Sequence, residues 1–348
     1  MMKKYDTAVF IGRFQPFHKG HLHNIEKALK VADQLILLIG SSFRAPSIKN
    51  PFSYQDRKNM IMADLNLADV DVTRIVIEPL SDWFYDEKGW INEVLTRVEK
   101  YSAKSHKTAI VGHQKDASSY YLKCFPKWRH IDVDNYKSYN ATAFRKAYFE
   151  QKCILEEYMI AKTRDQGSWQ ILDAFLTNAQ YDRLYEEYHA IKEYKKAWED
   201  APYAPIFVTT DALVICNEHI LLIQRKYAPG KDLWALPGGF LEEDERIFDG
   251  IRRELVEESG IDSAFLDKSP VAIEVYDYPD RSLRGRTITH AGLFSLQTNR
   301  LPSVKGQDDA QKAKWFSISH VLSEMSDKLM DDHYQIIKNM LSKHQLIT

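Results

Sequence analysis

Three glutamates in the second half of the chain, Glu254, Glu257 and Glu258, stand at i, i+3 and i+4, so a helix would carry them on one face. Carboxylates that close repel one another and weaken the helix. A divalent cation removes that cost, and clustered hard oxygens are the donors it prefers. The surrounding pattern is Gly239, five residues, Glu245, seven residues, then Arg253-Glu254-Leu255-Val256-Glu257-Glu258-Ser259-Gly260-Ile261. A merely solvated acidic face needs neither the arginine nor the flanking glycines, so these residues point to a metal site.

A second constellation runs from Gly12 through Arg13-Phe14-Gln15-Pro16-Phe17-His18-Lys19-Gly20 to His21. It lies where an apolar strand turns into a helix. Free backbone N–H groups at a helix start favour an anion, and Gly12 and Gly20 allow close backbone approach. His18 and His21, three residues apart, can face one side as the helix begins. Two imidazoles beside a helix N-terminus suit the stabilisation of charge on a transferring phosphoryl group.

The elements that must hold these groups follow from the apolar pattern. Runs at 5–11, 34–40, 74–78 and 108–112 are short enough for buried strands and alternate with helical stretches, one of them from about His21 to Ala32. Alternation of that kind implies a parallel sheet with helices on its faces. Residues 165–200 instead carry Ile171, Leu172, Phe175, Leu176 and Ala179 at helical spacing, and Ala201-Pro202-Tyr203-Ala204-Pro205 ends that helix. Beyond it, 206–215 and 220–225 read as a hairpin joined at Asn217-Glu218. A helix at 244–259, strands near 271–277 and 287–297, and helices near 319–325 and 331–343 complete the pattern. The expected organisation is a doubly wound domain over 1–164, a helical connector over 165–205 and a strand-rich domain over 206–348.

Global composition narrows the partners. The 348 residues suit two domains, and 44% hydrophobic content is enough for two cores. A formal net charge of -2 gives no long-range pull toward nucleic acid or an anionic membrane, so neither is expected as a partner. Cys124, Cys153 and Cys216 form no CxxC pair, which argues for reduced thiols rather than a zinc or redox motif. MMKKYDTAVF has no small-residue cleavage site and no apolar run approaches a membrane span. A cytoplasmic protein is therefore expected.

The stretch Gly12–His21 resembles the GRFQPFHxGH form of the HxGH signature found in nicotinamide-nucleotide adenylyltransferases. Ser47-Ile48-Lys49-Asn50-Pro51-Phe52, Gly112-His113-Gln114-Lys115-Asp116 and Asn140-Ala141-Thr142-Ala143-Phe144-Arg145 follow in that family's order. The last departs from an SxTxxR motif by Asn140, which can still cap a helix. The Gly239–Ile261 segment resembles the Nudix box, Gx5Ex7REUxEExGU, at every defined position. Together these resemblances imply an α/β protein: a Rossmann-like nucleotidylyltransferase domain followed by a Nudix α/β/α sandwich, similar to fused bacterial enzymes of NAD metabolism.

For the first domain the resemblance implies adenylyl transfer from ATP to nicotinamide mononucleotide. His18, His21, Arg13 and Arg145 would act on the phosphates, with Thr142 beside Arg145 and magnesium offsetting charge. Gly12, Phe14, Gln15, Lys49, Asn50, Gly112, Lys115 and Asp116 would line the ATP and substrate site. Trp83 would stack on the nicotinamide ring or, equally, pack in the core; Trp90 reads as packing. For the second domain, Glu254, Glu257 and Glu258 with the Gly238 carbonyl would hold magnesium or manganese. Arg253 would orient a carboxylate and Glu245 would support it. Glu257 and Glu258 would serve catalysis through the metal, and the general base outside the box is left unplaced.

The segment Tyr278–Arg286 resembles that of ADP-ribose pyrophosphatases, so Arg281, Arg284 and Arg286 would hold phosphate or ribose; an exposed basic hairpin is the plainer reading. ADP-ribose would then yield AMP and ribose 5-phosphate. NADH or a sugar nucleotide are the alternative substrates, and a ligand sensor the alternative role. An intact box and the absence of a basic appended domain weigh against a sensor. No KMSKS-like segment appears, which weighs against a synthetase for the first domain. By analogy with related pyrophosphatases, a homodimer is the assembly to expect.

Overall fold

The computed structural model describes residues 3–103, 107–113, 117–134, 136–266 and 270–346. Its contacts divide the chain into two compact units. The first holds residues up to Trp83 and Glu87–Tyr185; the second holds Phe84–Asp86 and Glu186 onward.

The first unit contains β1 (Tyr5–Gly12), α1 (Lys19–Val31), β2 (Ala32–Ile39), α2 (Tyr54–Leu67), β3 (Ile75–Pro79), α3 (Glu87–Glu99), β4 (Thr108–Gly112), β5 (Arg129–Asp132), α4 (Ala141–Glu150), α5 (Gly167–Phe175) and the start of α6 (Ala179–Lys196). Its five strands are parallel in the order β3-β2-β1-β4-β5. The order reverses between β1 and β4, and in such sheets ligands bind beyond the carboxyl ends of the strands at that reversal. Gly12 and Gly112 end those two strands. Val9, Ile36, Leu38 and Ile110 are wholly buried in the core under the sheet, as expected of strands covered on both faces.

The connector expected over 165–205 is shared between the units, because α5 has a partner in the first one. Asp64 of α2 accepts from Ser168 N (2.9 Å) and Ser168 Oγ (2.6 Å), while Tyr181 of α6 donates to the Tyr148 carbonyl at 2.8 Å.

The second unit contains β6 (Ile206–Cys216), β7 (His219–Arg225), β8 (Trp234–Ala235), β9 (Gly238–Phe240), α7 (Ile247–Ser259), β10 (Ala272–Tyr276), β11 (Arg286–Leu296), β12 (Ala310–Ser317), α8 (Ile318–Glu324) and α9 (His333–Lys343). The path through its sheet is β10-β11-β6-β7-β12, with β8 on β7 and β9 on β6. The period of two decides which face each residue serves. Leu213 and Ile215 of β6 enter one core with Val321 of α8 and Ile336 and Met340 of α9. Ala212, Val214 and Cys216 enter the other with Ile251 and Leu255 of α7. Helices thus cover both faces, which is the expected sandwich. The hairpin turn falls at Asn217 and Glu218, both at positive φ, as a tight two-residue turn demands. Among the described residues no helix is long and apolar enough to cross a membrane.

Candidate active sites

In the first unit the polypeptide leaves β1 at Gly12 and enters α1 through a turn packed from within. Phe14 is buried at φ +50°, a conformation that costs an aromatic residue energy and persists only where the surroundings enforce it. Its ring lies over Gly12, where a Cβ would meet Phe14 Cζ at 2.9 Å. Gln15 is buried and exchanges two hydrogen bonds with the backbone of Phe52, at 2.9 and 3.0 Å. Phe14 and Gln15, expected near substrate, therefore shape the turn from behind.

His18 is the N-cap of α1, its Nδ1 accepting from Gly20 N at 3.1 Å. The imidazoles of His18 and His21 stack with centroids 3.7 Å apart. Burial lowers the His18 pKa to about 4 and, with His18 nearby, holds His21 well below the ordinary range. Both rings are neutral at pH 7 and act as hydrogen-bonding groups rather than as fixed cations. A cavity of about 300 Å³ opens beside them, lined by His18, His21, Asn24, His113, Tyr136 and Asn140 among others.

Positive charge is supplied by arginines. Arg145 of α4 donates to the Gln15 carbonyl (2.7 Å) and to Thr142 Oγ1 (3.2 Å). Burial and the nearby Arg13 lower its pKa to about 10, so it stays charged. Arg13 itself is exposed. Asn140 caps α4, accepting from Thr142 N at 2.8 Å. Lys49 is half-buried and Asn50 buried in the loop before α2. Lys115 and Asp116 lie outside the described residues. Trp83 donates from Nε1 to Glu93 at 2.6 Å, and Trp90 packs against Tyr121 and Phe125.

Arg57, which the motif reading missed, ties the site together. It is 1% exposed and donates to the carbonyls of Arg13 (2.8 Å), Gly40 (2.6 Å), Ser41 (3.2 Å) and Ser53 (3.1 Å). One guanidinium therefore satisfies loop carbonyls beside β1, β2 and α2. No local pattern marks it, since its partners are backbone groups distant in sequence.

In the second unit α7 packs on the sheet through Ile251 and Leu255, Glu258 is buried along the same face, and Glu257 is exposed. Arg253 is a hub. It donates to Glu245 at 2.6 and 3.0 Å, to Glu254 at 2.8 Å, to Glu257 at 3.1 Å and to the Phe240 carbonyl at 3.1 Å. Glu245 above all, then Glu254 and Glu257, raise its pKa. Glu258 is 2% exposed and accepts from Gly238 N at 2.8 Å. Burial pushes its pKa up to about 8 and raises that of Glu254 as well. A Cβ on Gly239 would lie 2.3 Å from Glu254 Oε1, so glycine is what lets β9 pass over that carboxylate.

The donor set fits a divalent cation: hard oxygens, with Glu258 buried and Glu254 half-buried at a cost that a cation would offset. Among the described residues no three acidic, histidine or cysteine side chains already converge on one point. Arg253 occupies Glu254 Oε1 and Glu257 Oε2 and would have to yield them. Gly260, at φ +60°, ends α7. The loop before β12 then takes up the last carbonyls, Lys305 N on Ser259 (2.8 Å) and Gln307 N on Glu258 (3.2 Å). That loop brings Asp308 near enough to Glu254 to raise its pKa. A cavity of about 490 Å³ adjoins it, lined by Lys226, Lys231, Gln307 and Asp308 among others.

The three arginines of Tyr278–Arg286 part company. Arg281 is 5% exposed and doubly hydrogen-bonded to Asp332, at 2.9 and 3.0 Å. Tyr85 shares the same carboxylate. Burial alone would lower the Arg281 pKa, but Asp332 and Asp211 raise it overall. The plain reading of an exposed basic hairpin fails at this residue. Arg284 lies over the Phe240 ring at 4.7 Å, its Nε buried without a hydrogen bond. Arg286 donates to the Asp277 carbonyl. Arg225, at the end of β7, is the cation that the motifs did not mark. Its Nε donates to the Pro229 carbonyl at 3.0 Å, its field reaches both Glu258 and Arg284, and no described residue hydrogen-bonds its Nη groups.

Comparison with known proteins decides the family. The cytidylyltransferase-like family model matches residues 9–210. The chain belongs to the cytidylyltransferase-like family. To this cytidylyltransferase-like domain a NUDIX domain is joined, matched over residues 206–340. The nicotinamide/nicotinic acid mononucleotide adenylyltransferase of Acinetobacter baylyi is 37% identical over 190 residues, 54% of this chain and 96% of the relative. An ADP-ribose pyrophosphatase of Methanocaldococcus jannaschii is 34% identical over 134 residues, 38% of this chain and 72% of the relative. A crystal structure of a bifunctional NMN adenylyltransferase/ADP ribose pyrophosphatase from Francisella tularensis, complexed with AMP and a manganese ion, superposes with a TM-score of 0.93. The two are 48% identical, and the match covers 97% of this chain and 99% of that one. The cytidylyltransferase-like and NUDIX parts are thus enzyme domains, and NUDIX hydrolases use divalent metals.

Proposed function

We propose that the chain makes NAD in its first unit, from ATP and nicotinamide mononucleotide, and hydrolyses ADP-ribose to AMP and ribose 5-phosphate in its second. The observation that carries this is the completeness of both sites in one chain. Stacked neutral imidazoles stand at a helix N-terminus beside a cavity at the sheet's reversal, and a glycine pair passes over buried carboxylates on α7.

In the first unit a phosphate oxygen of the mononucleotide bonds to the α-phosphorus of ATP. The bond to the β-phosphate oxygen breaks and pyrophosphate leaves. His18, His21 and the N-terminus of α1 donate to the phosphoryl oxygens as charge moves onto the leaving group. Arg145, held by Gln15 and Thr142, and the exposed Arg13 bind the rest of the triphosphate.

In the second unit Glu254, Glu257 and Glu258, with the Gly238 carbonyl, would hold magnesium or manganese. The bound cations supply neutralisation of the diphosphate and a more acidic water. Arg225, whose Nη groups no described residue hydrogen-bonds, binds a phosphoryl oxygen. Arg281 orders its segment through Asp332, leaving Arg284 as the nearer substrate contact. Asp308, the carboxylate outside α7 whose charge reaches Glu254, would accept the proton of the attacking water.

The test is to incubate the full chain with ADP-ribose and magnesium or manganese, without ATP, beside a Glu258→Gln variant. AMP and ribose 5-phosphate should form and the variant should lose most of the activity. NAD formation from ATP and the mononucleotide should be equal in both. No AMP with either metal, while NAD synthesis proceeds, would overturn the hydrolase substrate alone.

A further inference from the structure

Two helices begin at the cavity beside the stacked histidines. His18 is the N-cap of α1 and Asn140 the N-cap of α4, and both line that cavity together with Gly20 and Ala141. The spacing between these two helix starts therefore sets the shape offered to a polyanion. Arg145 ties the body of α4 to the turn before α1 by donating to the Gln15 carbonyl at 2.7 Å. The N-caps need a tie of their own.

Tyr158, which lies beyond the end of α4 and in none of the motifs, supplies it. The residue is 7% exposed. Its Oη accepts from Asn140 N at 3.2 Å. Its ring meets the His18 imidazole edge to face, with centroids 5.8 Å apart and planes at 89°. Tyr139 packs beside both rings, 4.7 Å from Tyr158 and 6.1 Å from His18. The preceding residue is docked on α1 as well, since Lys19 Nζ donates to the Glu157 carbonyl at 3.0 Å. One side chain thus touches the N-caps of both helices.

The plane of His18 matters to the chemistry. Its Nδ1 accepts from Gly20 N at 3.1 Å, and burial keeps the ring neutral at pH 7. A neutral imidazole whose Nδ1 accepts carries its proton on Nε2, the atom left to donate to a phosphoryl oxygen. His21 stacks on the ring at 3.7 Å, and Tyr158 meets it at a right angle, a pairing that resists rotation of either ring.

We propose that Tyr158 is a positioning residue for adenylyl transfer: its ring sets the plane of His18, and its hydroxyl sets the start of α4 against it. The inference rests on reading the first unit as a mononucleotide adenylyltransferase. Tyr158 is not among the residues lining the cavity, so it acts through its two partners. The hydroxyl acts on the helix that carries Thr142 and Arg145, hence on ATP binding. The ring acts on His18, hence on the transfer step.

The experiment uses the full chain, with steady-state NAD synthesis measured for both substrates. Tyr158→Phe keeps the ring and loses one neutral hydrogen bond. It should raise the KM for ATP about fivefold, with kcat and the mononucleotide KM within about twofold of the parent. Tyr158→Leu also loses the ring and should lower kcat by a further factor on the order of ten. On a His18→Ala background, leucine in place of phenylalanine at position 158 should lower kcat no further. ADP-ribose hydrolysis, read on the same samples, should not change. An unchanged ATP KM in Tyr158→Phe overturns the proposal, as does an equal rise in the mononucleotide KM, the mark of a general loss of structure. A kcat in Tyr158→Leu no lower than in Tyr158→Phe, or an undiminished drop on the His18→Ala background, does so too. If the parent makes no NAD at all, the reading of the first unit fails and takes the proposal with it.

Discussion

Replacing Gly239 by alanine tests whether the close pass of β9 over Glu254 matters to chemistry. The new carbon would sit 2.3 Å from Glu254 Oε1 and 2.6 Å from its Cδ. An ordinary contact needs at least 3.4 Å, so the carboxylate must retreat by 3.4 − 2.3, about 1 Å. Glu254 cannot retreat freely, because Arg253 grips Oε1 at 2.8 Å and α7 is packed on the sheet through Ile251 and Leu255. A misplacement of about 1 Å in a catalytic group lowers the rate on the order of 100-fold, or about 2.7 kcal/mol in the barrier. ADP-ribose hydrolysis by Gly239→Ala, read as AMP release at saturating metal, should fall by that factor. NAD synthesis by the same sample should be unchanged, which controls for folding of the first unit. Adding Glu254→Asp, whose shorter side chain makes room, should recover part of the activity. Hydrolysis within threefold of the parent in Gly239→Ala would refute the argument that Glu254 works from the position β9 gives it.

Two further outcomes are expected. The first concerns acid stability. The folded His18 pKa, about 4, lies below the ordinary 6.5, so the unfolded chain binds the extra proton between those values. The stability at stake is fully present above pH 6.5 and is lost as pH falls toward 4. The difference of 6.5 − 4, or 2.5 pKa units, corresponds to about 3 kcal/mol. Hydrogen exchange of β1 and β4 amides at pH 7.5 and 4.5 should show it, and His18→Asn should flatten the dependence. The second concerns Arg57. Arg57→Met leaves four carbonyls without their donor and should destabilise the first unit by about 3 kcal/mol or more. NAD synthesis should collapse while ADP-ribose hydrolysis survives, measured on one preparation.

Local rules were enough for the strands and helices whose pattern is short-range. The apolar runs at 34–40 and 108–112, and the turn at Asn217-Glu218, stand where periodicity and turn chemistry put them. Strands β5, β8, β9 and β12 escaped that reading. Three of the four residues of β5 are exposed and only Ala310 of β12 is buried, and β8 and β9 have only two and three residues, so their existence depends on the neighbour that pairs with them. The boundary expected near Pro205 likewise missed that α5 and the start of α6 pack on α2 and α4, because packing of one helix on another leaves little trace in either sequence.

The candidate sites divide along the same line. The spacing of Glu254, Glu257 and Glu258 and the strand-to-helix turn ending in His18 and His21 are local facts, since a helix brings residues three or four apart together whatever surrounds it. Length and spacing therefore pointed to two domains, an anion site beside His18 and His21 and a metal site on Glu254, Glu257 and Glu258, while the two phosphate chemistries came from the family resemblances those motifs carry. Tertiary structure alone decided what those residues are able to do. Burial made both imidazoles neutral and Glu258 hard to ionise. Asp332, fifty-one residues away, claimed Arg281, while Arg57 took its place among carbonyls as far as forty-four residues along the chain. Charge state and free hydrogen-bonding capacity depend on solvent exclusion and on long-range partners, and neither is encoded in the spacing of a motif.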